Sequence, residues 1–337
     1  MSFVNKCSTI LRLSNKDICH IYSDKDLKFD YLDKDDNLVS SNSLANSSNI
    51  DFTNSYFDLD DYDNIYGIYK DSSLNMVELK KESNEIIQKE VLSFNYKKFD
   101  LMFPYIKKIK NNIHILYYVY NNNSTNTCAL FHHYNHNGVW VENKVDFISH
   151  LVLNNFTVSW SNNCPIVYYF NLVNGYEEVF LSKFDINTLT WCNPIQITDS
   201  GKRKIYLSAL RDSMNFYHLT FCEEVDNGYA VKYINGYLSD DKLDVDVCTY
   251  ITKPSVCRYP SLIKHKSNIY LSWVDYERLN TCISNDFGKT WGKNEADKFS
   301  MGEDFTRANF SSNYVDDIPY NVTSVFTTAN DIGILGF

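Results

Sequence analysis

The sequence predicts an all-β chain, a seven-bladed β-propeller with six blades as the alternative, built from four-stranded antiparallel blades of about 50 residues. Three observations predict it. A short pattern, Asn or Asp followed by a strand-like run with a bulky residue about five places on, recurs along the whole chain. Its copies are evenly spaced. Between them, short runs rich in Tyr, Ile, Val and Phe alternate with polar turn clusters, which is strand grammar.

The copies begin at Asp17, Asn64, Asn112, Asn163, Asn215, Asn268 and Asn321, and successive anchors differ by 47, 48, 51, 52, 53 and 53 residues. A two-sheet sandwich would not demand so constant a step. Other landmarks keep the register. Trp140 and Trp191 lie 51 residues apart and Trp191 and Trp291 lie 100 apart, while Phe103-Pro104 precedes Asn112 as Tyr259-Pro260 precedes Asn268. The repeats fall approximately at 8–50, 51–96, 97–147, 148–198, 199–252, 253–299 and 300–337, within a single domain spanning 1–337. The third reads most clearly, as strands Phe103–Ile109, Ile113–Tyr120, Ala129–Tyr134 and Val139–Val145. Asn and Asp serve in the turns where Gly is scarce, because they tolerate left-handed backbone and hydrogen-bond locally. Leu79–Gln88 is the one stretch with helical character, but it sits where the second repeat needs strands and is assigned as strand. The last repeat offers three strands, Thr306–Ser311, Asn321–Thr327 and Ile332–Phe337, so its fourth strand comes from Met1–Lys6, is missing, or belongs to a longer chain. In this scheme Trp140, Trp191, Trp273 and Trp291 hold blades together.

The 337 residues carry 32 Lys and Arg against 42 Asp and Glu, a net charge of −10, and are 44% hydrophobic, enough for a sizeable core. With an acidic balance and no basic face, a nucleic-acid partner is not expected. No apolar run is long enough to span a bilayer and no secretory leader is visible, so neither a membrane span nor secretion is expected. The nine cysteines stand singly without a Cys-x-x-Cys pair, which argues for buried thiols in a reducing compartment and a cytoplasmic address. The aromatic excess, 26 Tyr and 21 Phe, accompanies 39 Asn and follows AT-rich codon usage as readily as function.

One motif carries a resemblance. Ser284-Asn285-Asp286-Phe287-Gly288-Lys289-Thr290-Trp291 fits Ser-x-Asp-x-Gly-x-Thr-Trp at every defined place. Asp286 is suited to accept turn N–H groups, Gly288 to take positive φ, and Trp291 to bury under the hairpin. This is the Asp-box, and the chain resembles the sialidase-like (BNR-repeat) propellers. In that family the box is a fold-stabilising hairpin and not catalytic, so Ser284, Asp286, Gly288, Thr290 and Trp291 are structural residues. Ser182–Trp191 is a lengthened copy, and His133–Trp140 keeps only the Gly and Trp. The resemblance also implies arginines for a sugar carboxylate, a Tyr–Glu nucleophile pair and an Asp acid/base. The chain has only six arginines (12, 203, 211, 258, 278 and 307), and no Tyr–Glu pair is assignable.

Other constellations are weaker. His132 and His133 alternate to opposite faces of a strand and do not grip one metal. Asp60-Asp61-Tyr62-Asp63 lacks calcium-loop spacing and reads as a solvated turn. No catalytic residue, cofactor or metal is assigned. Residues on or beside the innermost strands, Tyr105, His150, Arg258, Tyr259 and Arg307, are the ligand-facing candidates. The function expected is a non-catalytic binding or scaffold module for a protein or glycan ligand. The alternative is a glycan-active hydrolase of the sialidase-like kind, with Arg258 and Arg307 clamping an anionic sugar.

Overall fold

The computed structural model describes residues 3–45, 50–81, 85–124, 126–239, 241–328, 332 and 334–335. Its strands in chain order are β1 (Phe3–Arg12), β2 (Ile18–Asp24), β3 (Asp26–Leu32), β4 (Leu38–Ala45), β5 (Ser55–Leu59), β6 (Ile65–Lys70), β7 (Ser73–Leu79), β8 (Ile86–Ser93), β9 (Phe99–Ile109), β10 (Asn112–Asn121), β11 (Thr127–His136) and β12 (Val139–Ser149). They continue as β13 (Thr157–Ser161), β14 (Cys164–Val173), β15 (Tyr176–Asp185), β16 (Thr190–Trp191), β17 (Ile195–Gln196), β18 (Lys204–Arg211), β19 (Phe216–Val225), β20 (Gly228–Leu238) and β21 (Leu243–Tyr250). The last are β22 (Cys257–His265), β23 (Asn268–Asp275), β24 (Arg278–Ser284), β25 (Glu295–Ala296), β26 (Phe305–Ser312), β27 (Asn321–Val322), β28 (Val325–Thr328) and β29 (Ile334–Leu335). A single 3₁₀ turn at Phe299–Met301 is the helical element among the described residues. The described part of 79–88 is not helical: β7 ends at Leu79 and β8 begins at Ile86, while 82–84 lie outside the described residues.

Each of the first six repeats forms an antiparallel meander, β5-β6-β7-β8 for example, which is the blade of a propeller. Six of the seven anchors immediately precede or open the second strand of their blade: β2, β6, β10, β14, β19 and β23. The described residues form six sheets, so the expectation of seven blades is corrected to the six-bladed alternative. The reason lies in the last repeat. Asn321 and Val322 do not start a second strand but pair with β22, and β26, β28 and β29 extend the first sheet in the order β29-β28-β26-β1-β2-β3-β4. The N-terminal residues are likewise not an outer fourth strand. Phe3–Lys6 run straight on into Arg12 as β1, beside β26, while Met1, Ser2 and half of the expected final strand lie outside the described residues.

By internal contacts the chain divides into an N-terminal body, Lys6–Ile148 with Ala308–Ile318, and a C-terminal body, Met1–Asn5 with Ser149–Arg307 and Pro319–Phe337. In each, the core consists of layers between consecutive blades. In the N-terminal body, Leu11, Cys19, Ile21 and Phe29 of the first blade meet Phe57, Leu59, Ile65 and Val77 of the second. In the C-terminal body, Ile166, Tyr168 and Leu181 meet Leu219, Phe221 and Ile234, and a further layer joins Val231 and Tyr233 to Leu262, Leu271 and Trp273. Second strands such as β6 and β19 are therefore buried on both faces. Outer strands such as β4 and β21 are exposed, with Ser, Asn and Asp blunting their edges.

Two expectations about packing change. Trp140 is 38% exposed at the start of β12 and holds no blade together, whereas Trp273 is 2% exposed in a core layer. Trp191 packs on Phe184, with ring centroids 5.5 Å apart. The Asp60–Asp63 turn is not simply solvated. Asp60 is 5% and Asp63 4% exposed. Asp60 accepts the N–H groups of Tyr62 and Asn64, and Asp63 accepts from the Ser14 hydroxyl at 2.6 Å and Asn313 Nδ2 at 2.8 Å and pairs with Lys81. Burial acts to raise the Asp63 pKa, but these donors outweigh it and hold the carboxyl below its usual value. All nine cysteines are free thiols, but only five are buried, and Cys192 and Cys248 are exposed.

Candidate functional site

The feature that stands out along the innermost strands is a repeated bulge. The β9/β10, β18/β19 and β22/β23 registers each slip at one place, at Leu116/Tyr118, Ile205/Ser208 and Arg258/Ser261. At each slip sits an aromatic residue in left-handed backbone: Phe103 (φ 54°), Tyr206 (φ 60°) and Tyr259 (φ 49°). A bulky side chain has little reason to adopt positive φ, and residues held there by their surroundings concentrate at ligand sites. Two of these residues give their N–H to the preceding repeat. Phe103 N–H donates to Thr53 O at 2.6 Å, and Tyr206 N–H donates to Asn154 Oδ1 at 3.0 Å.

In the C-terminal body two bulges converge. Tyr206 and Tyr259 stand with ring centroids 4.3 Å apart, tilted at 46°. The Arg307 guanidinium lies over the Tyr259 ring at 4.7 Å, a cation–π contact. Tyr259 Oη donates to Asn5 Oδ1 at 2.7 Å, and its ring rests on Phe3, which packs on Phe305 at 5.4 Å. Burial, then the neighbouring Tyr259 phenol, pushes the Tyr206 pKa up to about 12, with Arg258 opposing. Tyr206 is thus a neutral O–H donor at ordinary pH, with Arg258 near enough to act on it and Arg307 on the adjoining Tyr259 ring. Such an arrangement suits an anionic sugar: aromatic faces accept C–H surfaces, and guanidinium groups match carboxylate or sulfate.

Three of the predicted residues, Arg258, Tyr259 and Arg307, meet here. His150 lies elsewhere in this body, beside Glu177. Burial lowers its pKa while Glu177 acts to raise it, and His150 Nδ1 and Glu177 Oε2 are buried without hydrogen-bond partners. Next to Glu177 runs a buried charge network. Lys204 Nζ lies 2.8 Å from Glu178 Oε2 and 3.6 Å from Glu223 Oε2, and it donates to Glu177 O at 2.9 Å. Tyr105 belongs to the N-terminal body, stacked against Tyr56 at 4.5 Å. Arg211 is bound to Asn215 and Arg12 to Asp317, so neither is a third clamp. Sequence reasoning missed Tyr206. The signal was present, since Tyr206-Leu207-Ser208 precedes Tyr259-Pro260-Ser261 by 53 residues, one repeat step.

The box residues 284–291 form a closed hairpin. Asp286 accepts Thr290 N–H and Oγ1–H at 2.8 and 2.7 Å, holding its pKa down at about 2, and Gly288 N–H donates to Ser284 Oγ at 2.8 Å. Trp291 is half-buried, edge-on to Tyr233 at 4.9 Å. In the third blade, His132 bonds His114 at 3.1 Å on one face while His133 bonds Tyr117 on the other. No group of three metal-ligating side chains is assembled among the described residues, and no helix there is long and apolar enough to cross a membrane.

No protein-family model matches the chain, and no curated protein matches it in sequence. Solved structures do. A polysaccharide lyase, the PL25 ulvan lyase, is similar over 99% of this chain and 92% of its own at 10% identity, with a TM-score of 0.62, and the same enzyme has been solved bound to -[GlcA(1-4)Rha3S]-. The GH93 α-L-arabinofuranosidase of Fusarium graminearum matches over 83% and 93% at 10% identity with a TM-score of 0.52. The Penicillium chrysogenum α-L-arabinanase matches over 83% and 94% at 7% identity with a TM-score of 0.56. The chain is an all-β propeller with four-stranded blades. The expectation of a non-catalytic scaffold is corrected by this comparison, because these structures are of glycan-processing enzymes, which favours the glycan-active alternative.

Proposed function

We propose that the chain is a glycan-active enzyme that cleaves an anionic saccharide at the Tyr206–Tyr259–Arg307 cluster of the C-terminal body. The observation that carries this reading is the pair of strained tyrosines brought together under the Arg307 guanidinium. Arg307 and Arg258 hold the acidic group of the sugar, the tyrosine faces carry its ring, and the Tyr206 phenol gives its proton to the departing oxygen as the glycosidic C–O bond breaks; the phenolate regains a proton from the water that adds at the carbon in hydrolysis, or from the ring C–H that is lost in elimination. The glucuronate-containing ligand of the similar lyase supports the substrate class, and the intact box at 284–291 supports a sialidase-like propeller as the scaffold.

The test is cleavage of a panel of glucuronate-containing and sialylated glycans, read as new reducing ends, with absorbance of an unsaturated uronate separating elimination from hydrolysis. Arg307→Ala should lower kcat/KM roughly ten- to hundredfold, the worth of one charge-assisted contact. Failure to cleave either class, or an Arg307→Ala protein as active as wild type, would overturn the proposal.

A further inference from the structure

We propose that the C-terminal body carries a second carbohydrate site, selective for an acidic sugar, in a cavity at the far end of β18 from the tyrosine pair. The proposal extends beyond the cleavage site and does not depend on it. The cavity measures about 450 Å³, within the roughly 300–1,000 Å³ of small-ligand sites. Tyr206 lies near the start of β18 and Arg211 at its end, a separation of about 17 Å at the rise of a strand. The two sites share no residue.

The walls come from the turns of two neighbouring blades. Asn162 lies in the β13–β14 turn, Lys183 near the end of β15 and Asn187 in the turn after it, both within the lengthened box, and Tyr217 and Tyr237 on β19 and β20. The longer box supplies one side of the cavity with its residues Lys183–Asn187. The turns are preset: Asn162, Asn163 and Asn215 all hold left-handed backbone, with φ of 48°, 66° and 69°. Tyr237 is 53% exposed, yet its ring is braced edge-on by Phe216 at 4.4 Å, which makes a fixed apolar platform open to a ligand.

The polar groups specify the ligand. No carboxylate lies within ion-pairing distance of the Lys183 ammonium among the described residues. Asp185, the acidic residue on the wall, is already engaged by Asn187, whose N–H and Nδ2 donate to Oδ1 at 2.9 and 3.1 Å. Asn215 Oδ1 accepts from Arg211 Nε–H at 2.6 Å, which leaves its amide hydrogens for a ligand acceptor. An unpaired ammonium, carboxamides with open donors and acceptors, and a tyrosine platform together match a sugar that has hydroxyls, an apolar face and one carboxylate.

The experiment is an NMR titration with sodium glucuronate and, in parallel, with glucose, following the side-chain amides of Asn162, Asn187 and Asn215. Glucuronate should shift these resonances. Lys183→Met should weaken that effect about tenfold, Tyr237→Ala should weaken it severalfold, and glucose should bind no better to wild type than glucuronate binds to Lys183→Met. The same shifts should persist in Arg307→Ala, which separates this site from the cleavage site. Unmoved cavity amides, glucose binding as tightly as glucuronate, or shifts that vanish in Arg307→Ala would each overturn the proposal.

Discussion

Gly288 and Gly175 share a backbone φ of +86° but differ in what a methyl group would meet, which makes them a matched pair for weighing the box hairpin. A Cβ at Gly175 meets nothing within 4 Å, so Gly175→Ala isolates the left-handed backbone cost of about 1–2 kcal/mol. A Cβ at Gly288 falls 2.4 Å from Tyr233 Oη, 2.5 Å from Cε1 and 2.6 Å from Cζ. Tyr233 has no room to retreat. It is fully buried, its hydroxyl bonds His218 Nδ1 at 2.6 Å and Asn235 Nδ2 at 3.1 Å, and Trp291 flanks its ring. Displacing it adds an overpacking cost of about 1–3 kcal/mol and weakens hydrogen bonds worth about 1 kcal/mol each. Gly288→Ala should therefore lose roughly 2–4 kcal/mol more than Gly175→Ala. Urea unfolding at matched m-values measures the difference. Equal losses within about 0.5 kcal/mol would refute the claim that Gly288 seats the box against Tyr233.

Lys204→Met removes the fully buried cation between Glu178 and Glu223; it should destabilise by about 3 kcal/mol in the same assay, the low end for a broken buried pair because Lys232, Ser200 and Thr198 still serve the carboxylates. The His114–His132 pair makes stability pH-dependent. Burial drops His114 to about 3 and His132 well below its ordinary value, so both stay neutral in the fold while the unfolded chain takes up protons. Their contribution is complete above about pH 6.5 and declines as the pH falls towards the folded values, by roughly 2 kcal/mol for His114 at about pH 5. His114→Phe should flatten this dependence in urea melts taken across that range, and an unchanged slope would refute it.

The blades were legible because each of six second strands opens on, or directly after, an Asn or Asp, and that placement repeats wherever the geometry repeats. Asn321 broke the rule: its strand pairs with β22, a non-local choice no local pattern encodes. At the site, Arg258, Tyr259 and Arg307 were found by their place on inner strands. Tyr206 escaped because an aromatic residue in a strand-like run reads as ordinary strand, and its left-handed backbone is invisible in its identity. Lys204 and Asp63 were illegible for another reason. A charged residue reads as solvated until the partners that compensate it, distant in sequence, are brought alongside.

The hydrogen bonds that satisfy the bulges bear on how this chain can be divided. Tyr206 depends on Asn154, and Phe103 on Thr53, residues 52 and 50 positions upstream. A cut at the period boundary, between residues 198 and 199, therefore parts a strained tyrosine from the group that holds it. A fragment beginning there would retain the strand and the side chain of Tyr206 but not its aim. The functional module draws on the inner strands of two successive blades and the entry loop of the blade before them, so transplanting this site into another propeller requires residues 150–156 to travel with β18 and β22, and Arg307 of β26 with them.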